Sequence, residues 1–168
     1  MILRQLFDHE TWTYTYLLGD EKSREAVLID PVIDQIERDI RLLDELGLKL
    51  VYTIDTHAHA DHITGSGLLK KLVPECKSII CAESGAKSDI KVTGGDKIKF
   101  GAHELEVRST PGHTAGCVSY VSHAQSCVFT GDALLIRGCG RTDFQEGDPG
   151  KLYDVVWGQI LSLPDNFT

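Results

Sequence analysis

Short β-type runs fall into two groups along this chain, and helical patterns separate and follow them. The first group of runs, rich in β-branched, aromatic and other apolar residues, covers 2–7, 11–18, 25–29, 48–54 and 78–82. The second group covers 97–100, 103–109, 117–123 and 126–130. Each sheet must bury an apolar face against another layer. The pattern therefore predicts an α/β sandwich in which two sheets pack together with helices outside.

Three amphipathic segments are the predicted helices. Apolar residues recur at helical spacing over 33–46, and Gly47 follows as a C-terminal stop. A second helix is predicted over 65–72, and a third over 149–163, where a proline suits the first turn. The chain is long enough for one core and too short for two ordinary domains. We expect a single domain over 1–168.

Charge and hydropathy exclude two classes of partner. The formal net charge is -8, from 17 Lys and Arg against 25 Asp and Glu, and no basic run exceeds a pair. A nucleic-acid binder needs a basic surface, so we expect no nucleic-acid partner. No stretch approaches the roughly 18 apolar residues of a membrane span, and the start lacks the apolar segment of a secretory signal. The sequence predicts a soluble, intracellular protein without a membrane partner.

The five cysteines are predicted to be reduced thiols. Their number is odd and no C-x-x-C spacing occurs, which argues against a disulfide framework and a zinc knuckle. Cys81, Cys117 and Cys127 lie in apolar runs and are expected to be buried. Cys139, between two glycines, is expected to be a close-packed loop thiol without a catalytic role.

A cluster of histidines follows the apolar run 48–54 directly. His57, His59, Asp61 and His62 lie within six positions of one another, on the loop where the predicted strand ends. One tight loop brings four metal-ligand side chains into a small volume at little cost in chain entropy. The alternative is a polar turn of hydrogen-bonding imidazoles. The clustering favours a metal site.

Two further candidate ligands follow later strands. His113 lies in Pro111-Gly112-His113-Thr114 after the run 103–109, and Asp132 follows the run 126–130. Residues at the ends of separate strands can converge on one sheet edge, where the strands hold them rigidly. Each residue alone is compatible with an ordinary turn. Together with the first cluster they predict one centre built from two histidines and an aspartate.

These motifs resemble those of a known superfamily. The motifs are Thr56-His57-x-His59-x-Asp61-His62, Pro111-Gly112-His113-Thr114 and Thr130-Gly131-Asp132, which occur in the order found in the metallo-β-lactamase superfamily. Three longer segments, 57–69, 130–144 and Arg4-Gln-Leu-Phe, are similar to its persulfide dioxygenase branch, the ethylmalonic encephalopathy protein family, which is related to glyoxalase II. The resemblance covers about residues 2–163. It implies an αββα sandwich, here without the family's C-terminal strand and helix.

The resemblance implies a mononuclear iron site. One Fe(II) per chain would be held by His57, His113 and Asp132, whereas His59, Asp61 and His62 would lie close by and orient the ligands through hydrogen bonds. Two histidines and one carboxylate leave coordination positions open, so that a sulfur substrate and dioxygen can bind side by side. The implied reaction is the oxidation of glutathione persulfide by O2 and water to sulfite and glutathione, a step in hydrogen sulfide catabolism.

Arg141 is the candidate for binding the carboxylates of glutathione. Its planar guanidinium can pair with a carboxylate through two hydrogen bonds, and an acidic protein needs local positive charge for an anionic tripeptide. On residue type alone, a solvated or salt-bridging arginine is an equal alternative. The resemblance favours the binding role.

Two alternative functions stay open at this stage. A hydroxyacylglutathione hydrolase of the glyoxalase II type would hold one metal by His57, His59 and His113, and a second by Asp61, His62, a bridging Asp132 and a later histidine. No histidine follows His123, which favours the mononuclear site. The other alternative is an inactive, C-terminally truncated fragment that acts only as a binding module. Its basis is that the chain ends at Thr168, where the alternating pattern would begin another strand.

The resemblance also suggests a compartment and an assembly. It points to the mitochondrial matrix, although no Arg- and Ser-rich presequence precedes Met1. A homodimer is an open alternative to a monomer.

Overall fold

The two groups of strands form two separate sheets in the computed structural model, which describes residues 1–168. The first sheet has six strands in the order β1 (Ile2–Phe7), β2 (Tyr14–Gly19), β3 (Glu25–Ile29), β4 (Lys49–Ile54), β5 (Lys77–Cys81) and β6 (Ile90–Val92). Strands β1 to β3 pair antiparallel, and β3 to β6 pair parallel. The second sheet is antiparallel throughout, in the order β10 (Cys127–Phe129), β9 (Val118–Ser122), β8 (His103–Ser109) and β7 (Lys97–Phe100).

Three α-helices accompany the sheets. They are α1 (Ile36–Leu46), α2 (Ser66–Leu72) and α3 (Pro149–Val155), and the last continues as a π-helical segment over Val156–Ile160. Helix α1 ends at Gly47 in the left-handed conformation (φ 60°), as predicted, because glycine has no Cβ to oppose it. The Asp148 carboxylate caps α3 by accepting a hydrogen bond from the Lys151 amide. None of these helices combines the length and apolar content that crossing a membrane requires.

The buried apolar residues show four layers. The largest cluster lies between the sheets and includes Val27, Ile54, Leu105, Val107 and Tyr120. A second cluster packs α1 and α2 against the outer face of the first sheet and includes Leu28, Leu43 and Leu69. A third, smaller cluster lies beneath α3 and joins Ala133, Leu152 and Ile160. The predicted αββα sandwich is therefore confirmed.

Several predicted boundaries differ from the structure. The run predicted from residue 11 becomes a strand only at Tyr14, because the Asp8 carboxylate accepts hydrogen bonds from the Thr11 amide and hydroxyl and turns the chain. The first turn of the helix predicted from residue 33 is a 3₁₀ turn. Strand β6 was not predicted, since three residues are too few to show alternation.

The thiol predictions have mixed outcomes. Cys81, Cys117 and Cys127 are buried, as expected. The prediction for Cys139 is wrong: its side chain is exposed, because its loop lines an open cavity instead of packing inward.

Replacing Leu105 by alanine should destabilise the fold strongly. Leu105 is 0% exposed between the two sheets, whereas Leu72 at the end of α2 is 54% exposed. Deleting a buried leucine side chain loses both its burial and its packing contacts, which costs about 2–5 kcal/mol. We expect that loss for Leu105→Ala in urea-induced unfolding, and a change under about 1 kcal/mol for Leu72→Ala. Equal losses in the two variants would contradict a core between the sheets.

Candidate metal centre

Three strand ends supply the predicted ligand set. His57 follows β4, His113 follows β8, and Asp132 follows β10. One ligand atom from each side chain lies within 4.8 Å of the others. The His113 Nε2 atom is 3.5 Å from the Asp132 Oδ2 atom. The structure thus brings together two imidazoles and a carboxylate from three distant parts of the sequence.

His57 is held in the tautomer that suits a metal ligand. The Thr56 hydroxyl donates a hydrogen bond to Asp30 Oδ2 (2.9 Å), so it accepts from His57 Nδ1, also at 2.9 Å. The proton on Nδ1 leaves a lone pair on Nε2. Burial, and then the neighbouring charge of His59, lower the pKa of His57 to about 3. The imidazole is therefore neutral.

His113 is oriented by a backbone carbonyl. Its Nδ1 donates to the carbonyl oxygen of Arg141 at 2.7 Å. A carbonyl can only accept, so Nδ1 carries the proton and Nε2 is free. The other partner, Asp132, is half-buried, and this burial raises the pKa of its carboxyl group.

The remaining predicted residues form a second, adjacent group. The ligand atoms of His59, Asp61 and His62 lie within 4.8 Å of one another. The rings of His57 and His59 are 4.1 Å apart, so the two groups touch. Asp61 Oδ2 is 3.2 Å from His62 Nδ1, and this hydrogen bond lowers the pKa of Asp61 to about 2.

Asp30 is a site residue that the sequence reasoning missed. It follows β3 in the left-handed region (φ 49°), and its carboxylate accepts from the Thr56 amide (2.7 Å) and from His59 Nε2 (3.1 Å). Burial alone would raise the pKa of Asp30 and lower the pKa of His59, but the attraction between the two charged groups outweighs it. It lowers the pKa of Asp30 and raises that of His59 to about 9. The sequence did contain a signal for this residue. Asp30 directly follows an apolar run, just as Asp55 does immediately before Thr56.

At two glycines the backbone lies so close to residues of the site that there is no room for a Cβ. A Cβ on Gly131 (φ 49°) would collide with the Thr56 side chain. A Cβ on Gly140 would lie 2.8 Å from His113 Cγ and 2.7 Å from the Asp132 carbonyl oxygen. Both positions therefore require a residue without a side chain.

Arg141 does not point its charge into the ligand set. Its guanidinium is exposed, pairs with Asp143 through two hydrogen bonds (2.8 and 3.1 Å), and lies 5.6 Å from the centre of the Phe144 ring. Only its backbone oxygen contacts a predicted ligand, His113. The side-chain geometry matches the salt-bridging alternative.

Two cavities flank the loop that carries Arg141. The smaller, of about 420 Å³, is lined by Cys139, Arg141 and Trp157 among others. The larger, a cleft of about 940 Å³, is lined by His59, Asp61 and Asp132 together with apolar and aromatic residues. Of the three predicted ligands, Asp132 lines the larger cleft, and none lines the cavity beside the Arg141 side chain.

Comparisons of sequence and of structure relate this chain to the same group of known proteins. The family model of the metallo-beta-lactamase superfamily matches residues 13–80 and 77–165. The mitochondrial persulfide dioxygenase ETHE1 of Mus musculus is 57% identical over 99% of this chain and 65% of its own length. The crystal structure of ETHE1 from Myxococcus xanthus superposes with a TM-score of 0.94 at 47% identity, over 98% of this chain and 72% of that one.

A more distant relative represents the hydrolase alternative. The cytoplasmic hydroxyacylglutathione hydrolase of Arabidopsis thaliana is 32% identical over 90% of this chain and 59% of its own length. The chain spans about two thirds, 65%, of the length of the mouse relative.

Replacing Gly140 by alanine should disturb the ligand set. The added methyl group would press against both His113 and Asp132, whereas at Gly138, two residues earlier, a Cβ meets nothing within 4 Å. We expect Gly140→Ala to weaken metal binding by at least about tenfold, the effect typical of displacing a ligand's support. Gly138→Ala should bind metal as the unmodified chain does. Titration calorimetry with Fe(II) or Co(II) under anaerobic conditions measures both, and equal affinities would contradict the close packing at Gly140.

Proposed function

The chain belongs to the metallo-beta-lactamase superfamily and, within it, to the ETHE1 family, and from this premise we propose that it is an iron-dependent persulfide dioxygenase. The observation that carries the proposal is the convergence of His57, His113 and Asp132 within 4.8 Å. Relatives named persulfide dioxygenase share 57% of the residues over nearly the whole chain.

The donor set fits one Fe(II) ion. His57 and His113 each present an Nε2 lone pair, because their Nδ1 protons are committed to Thr56 and to the Arg141 carbonyl. Asp132 adds one carboxylate, whose negative charge offsets that of the cation. Two imidazoles and one carboxylate on one face are the donors typical of non-haem Fe(II) oxygenases. When bound, the iron supplies open positions at which the persulfide sulfur and dioxygen react together.

The proposed substrate is glutathione persulfide. The overall reaction, GSSH + O2 + H2O giving GSH, sulfite and two protons, oxidises the terminal sulfur and reduces dioxygen. The residues of the chain position the reactants: the three strand ends fix the ligands, and the walls of the larger cleft surround the space beside Asp132. The named relatives are mitochondrial, and we propose the same compartment for this protein.

His59, Asp61 and His62 are proposed to support the ligands without binding the iron. His59 Nε2 bonds to Asp30, and His62 Nδ1 lies near both Asp61 (3.2 Å) and the Thr13 hydroxyl (3.4 Å). The hydrolase alternative requires His59 on the first metal together with His57 and His113. The Asp30 contact and the more distant match to the hydrolases both favour the dioxygenase.

Iron content and oxygen uptake test the proposal together. We expect about one iron per chain after anaerobic purification, and oxygen uptake with glutathione persulfide. Asp132→Asn should lose both, because an amide oxygen is a weaker, uncharged donor. Asp143→Asn, an exposed acid on the same segment, should keep its iron. Two zinc ions per chain, with hydrolysis of lactoylglutathione and no oxygen uptake, would contradict the dioxygenase.

Arg141 is proposed to bind the glutathione carboxylates once its guanidinium leaves Asp143 and turns from the smaller cavity toward the proposed ligand set. If so, Arg141→Ala should raise KM for glutathione persulfide by about tenfold, the order of one lost charge-assisted pair. The iron content should not change, because the backbone carbonyl that holds His113 is retained. Asp143→Asn frees the guanidinium and should lower KM. Steady-state kinetics of both variants measure this, and unchanged KM in both would leave Arg141 a surface salt bridge.

A further inference from the structure

The loop of residues 140–148, which lies between β10 and α3, is hydrogen-bonded to two of the three proposed ligands. The Gly140 amide donates to the backbone carbonyl oxygen of Asp132 at 2.7 Å. The Arg141 carbonyl oxygen accepts from His113 Nδ1, also at 2.7 Å. Both proposed ligands that follow strands of the second sheet are therefore tied to one short loop.

Gln145 connects the same loop to the backbone beside the third proposed ligand. Its Nε2 donates to the carbonyl oxygen of Ala58 at 3.3 Å, across 87 positions of the sequence. Ala58 directly follows His57, so this bond acts on the peptide next to that ligand. No other hydrogen bond joins the loop 140–148 to residues 55–62. Gln145 is thus the link between one proposed ligand and the other two.

Two bonds hold the backbone on the other side of His57. The Tyr120 hydroxyl (2.7 Å) and the Val118 amide (2.9 Å) donate to the carbonyl oxygens of the two residues that precede His57. Both donors lie on β9 of the second sheet. The backbone is therefore held both before and after His57, and the Gln145 bond is the one on the later side. Its loss should loosen the ligand without unfolding the loop.

The conformation of Gln145 is an unfavourable one. Its φ is 47° and that of Glu146 is 61°, so two successive residues with side chains lie in the left-handed region. The Gln145 Oε1 atom is also buried without a hydrogen-bond partner. Buried polar atoms are normally paired, and strained backbone persists where the surrounding structure requires it, often at functional sites. A residue that only filled space would need neither the amide nor this backbone conformation.

We propose that Gln145 is a positioning residue, which holds the His57 loop at the distance from His113 and Asp132 that a shared metal ion requires. The proposal rests on the ligand set of the proposed function but not on the reaction. Ligand atoms from three loops lie within 4.8 Å of one another. Groups that orient metal ligands without touching the metal commonly strengthen its binding. Fixing the Ala58 carbonyl removes one of the motions by which His57 could leave this arrangement.

Metal binding in a matched pair of variants tests the positioning role. Gln145→Asn keeps an amide and tolerates the left-handed region, but its side chain is one methylene too short to reach Ala58. Glu146→Asn places the same residue at the next left-handed position, where the side chain is exposed. We expect Gln145→Asn to bind Co(II) about tenfold more weakly in anaerobic titrations, and to change the visible absorption of the bound Co(II). Glu146→Asn should change neither.

A third variant separates the hydrogen bond from the size of the side chain. Gln145→Met keeps the length of the side chain but cannot donate, so its Co(II) affinity should fall as it does in Gln145→Asn. In the metal-free protein, amide hydrogen exchange over residues 58–62 should be faster in both variants, because the Ala58 carbonyl is no longer held. A lower melting temperature with unchanged Co(II) affinity and absorption would show a merely structural residue and overturn the inference.

The outcomes separate this inference from the proposed function. Unchanged Co(II) binding in both Gln145 variants would overturn the positioning role and leave the dioxygenase intact if oxygen uptake is normal. Weaker binding in both, with no oxygen uptake by the unmodified chain on glutathione persulfide, would support the positioning role and overturn the reaction. An equal loss in Glu146→Asn would assign the effect to the backbone of the turn and overturn the inference. Failure of the unmodified chain to bind Co(II) would overturn both.

Discussion

The proposed metal centre depends on the hydrogen bonds of the Asp30 carboxylate. This buried group joins the end of β3 to the loop after β4, by accepting from the amide and hydroxyl of Thr56 and from His59. Because the Thr56 hydroxyl gives its proton to Asp30, it must accept from His57, and this fixes the free nitrogen of His57. The carboxylate thereby sets the tautomer of a proposed ligand that it does not touch.

Strand direction explains why the proposed ligands, which are far apart in the sequence, lie close together. Strands β3 and β4 are parallel, so Asp30 and His57 follow them at the same edge of the first sheet. In the second sheet, β8 and β10 both pair antiparallel with β9 and therefore run in one direction, which puts His113 and Asp132 at a common edge. Packing the two sheets together through their apolar faces aligns these edges. The strand directions therefore bring the site residues to one edge, and short turns, some of them containing glycine, are enough to complete the site.

The sequence was sufficient to predict what depends on periodicity or on local motifs. The sandwich, the Gly47 helix stop and the strand-end positions of the predicted ligands follow from apolar patterns and turn residues. Asp30 was missed because its partner Thr56 is 26 residues away, and no local pattern reports such a bond. The contact of Tyr16 with Phe129 was missed for the same reason, since the two rings meet across the two sheets. The exposure of Cys139 likewise depends on how its loop sits above α3, which residue type does not determine.

Asp30 also bears on how many metal ions the site can hold, because it binds His59, which the two-metal alternative needs as a ligand. A second ion in the manner of the hydrolases requires His59 to join His57 and His113 on the first ion. In the structure one nitrogen of His59 bonds to Asp30 at 3.1 Å, and the other lies 3.8 Å from Asp61. Both nitrogens thus face carboxylates outside the ligand set. Breaking the His59 contact is costly because it would take the positively charged partner away from a buried carboxylate, which then keeps only its two hydrogen bonds from Thr56. The carboxylate that orients His57 through Thr56 therefore also holds His59 away from the proposed ligand set, and it favours a site with one ion and open positions.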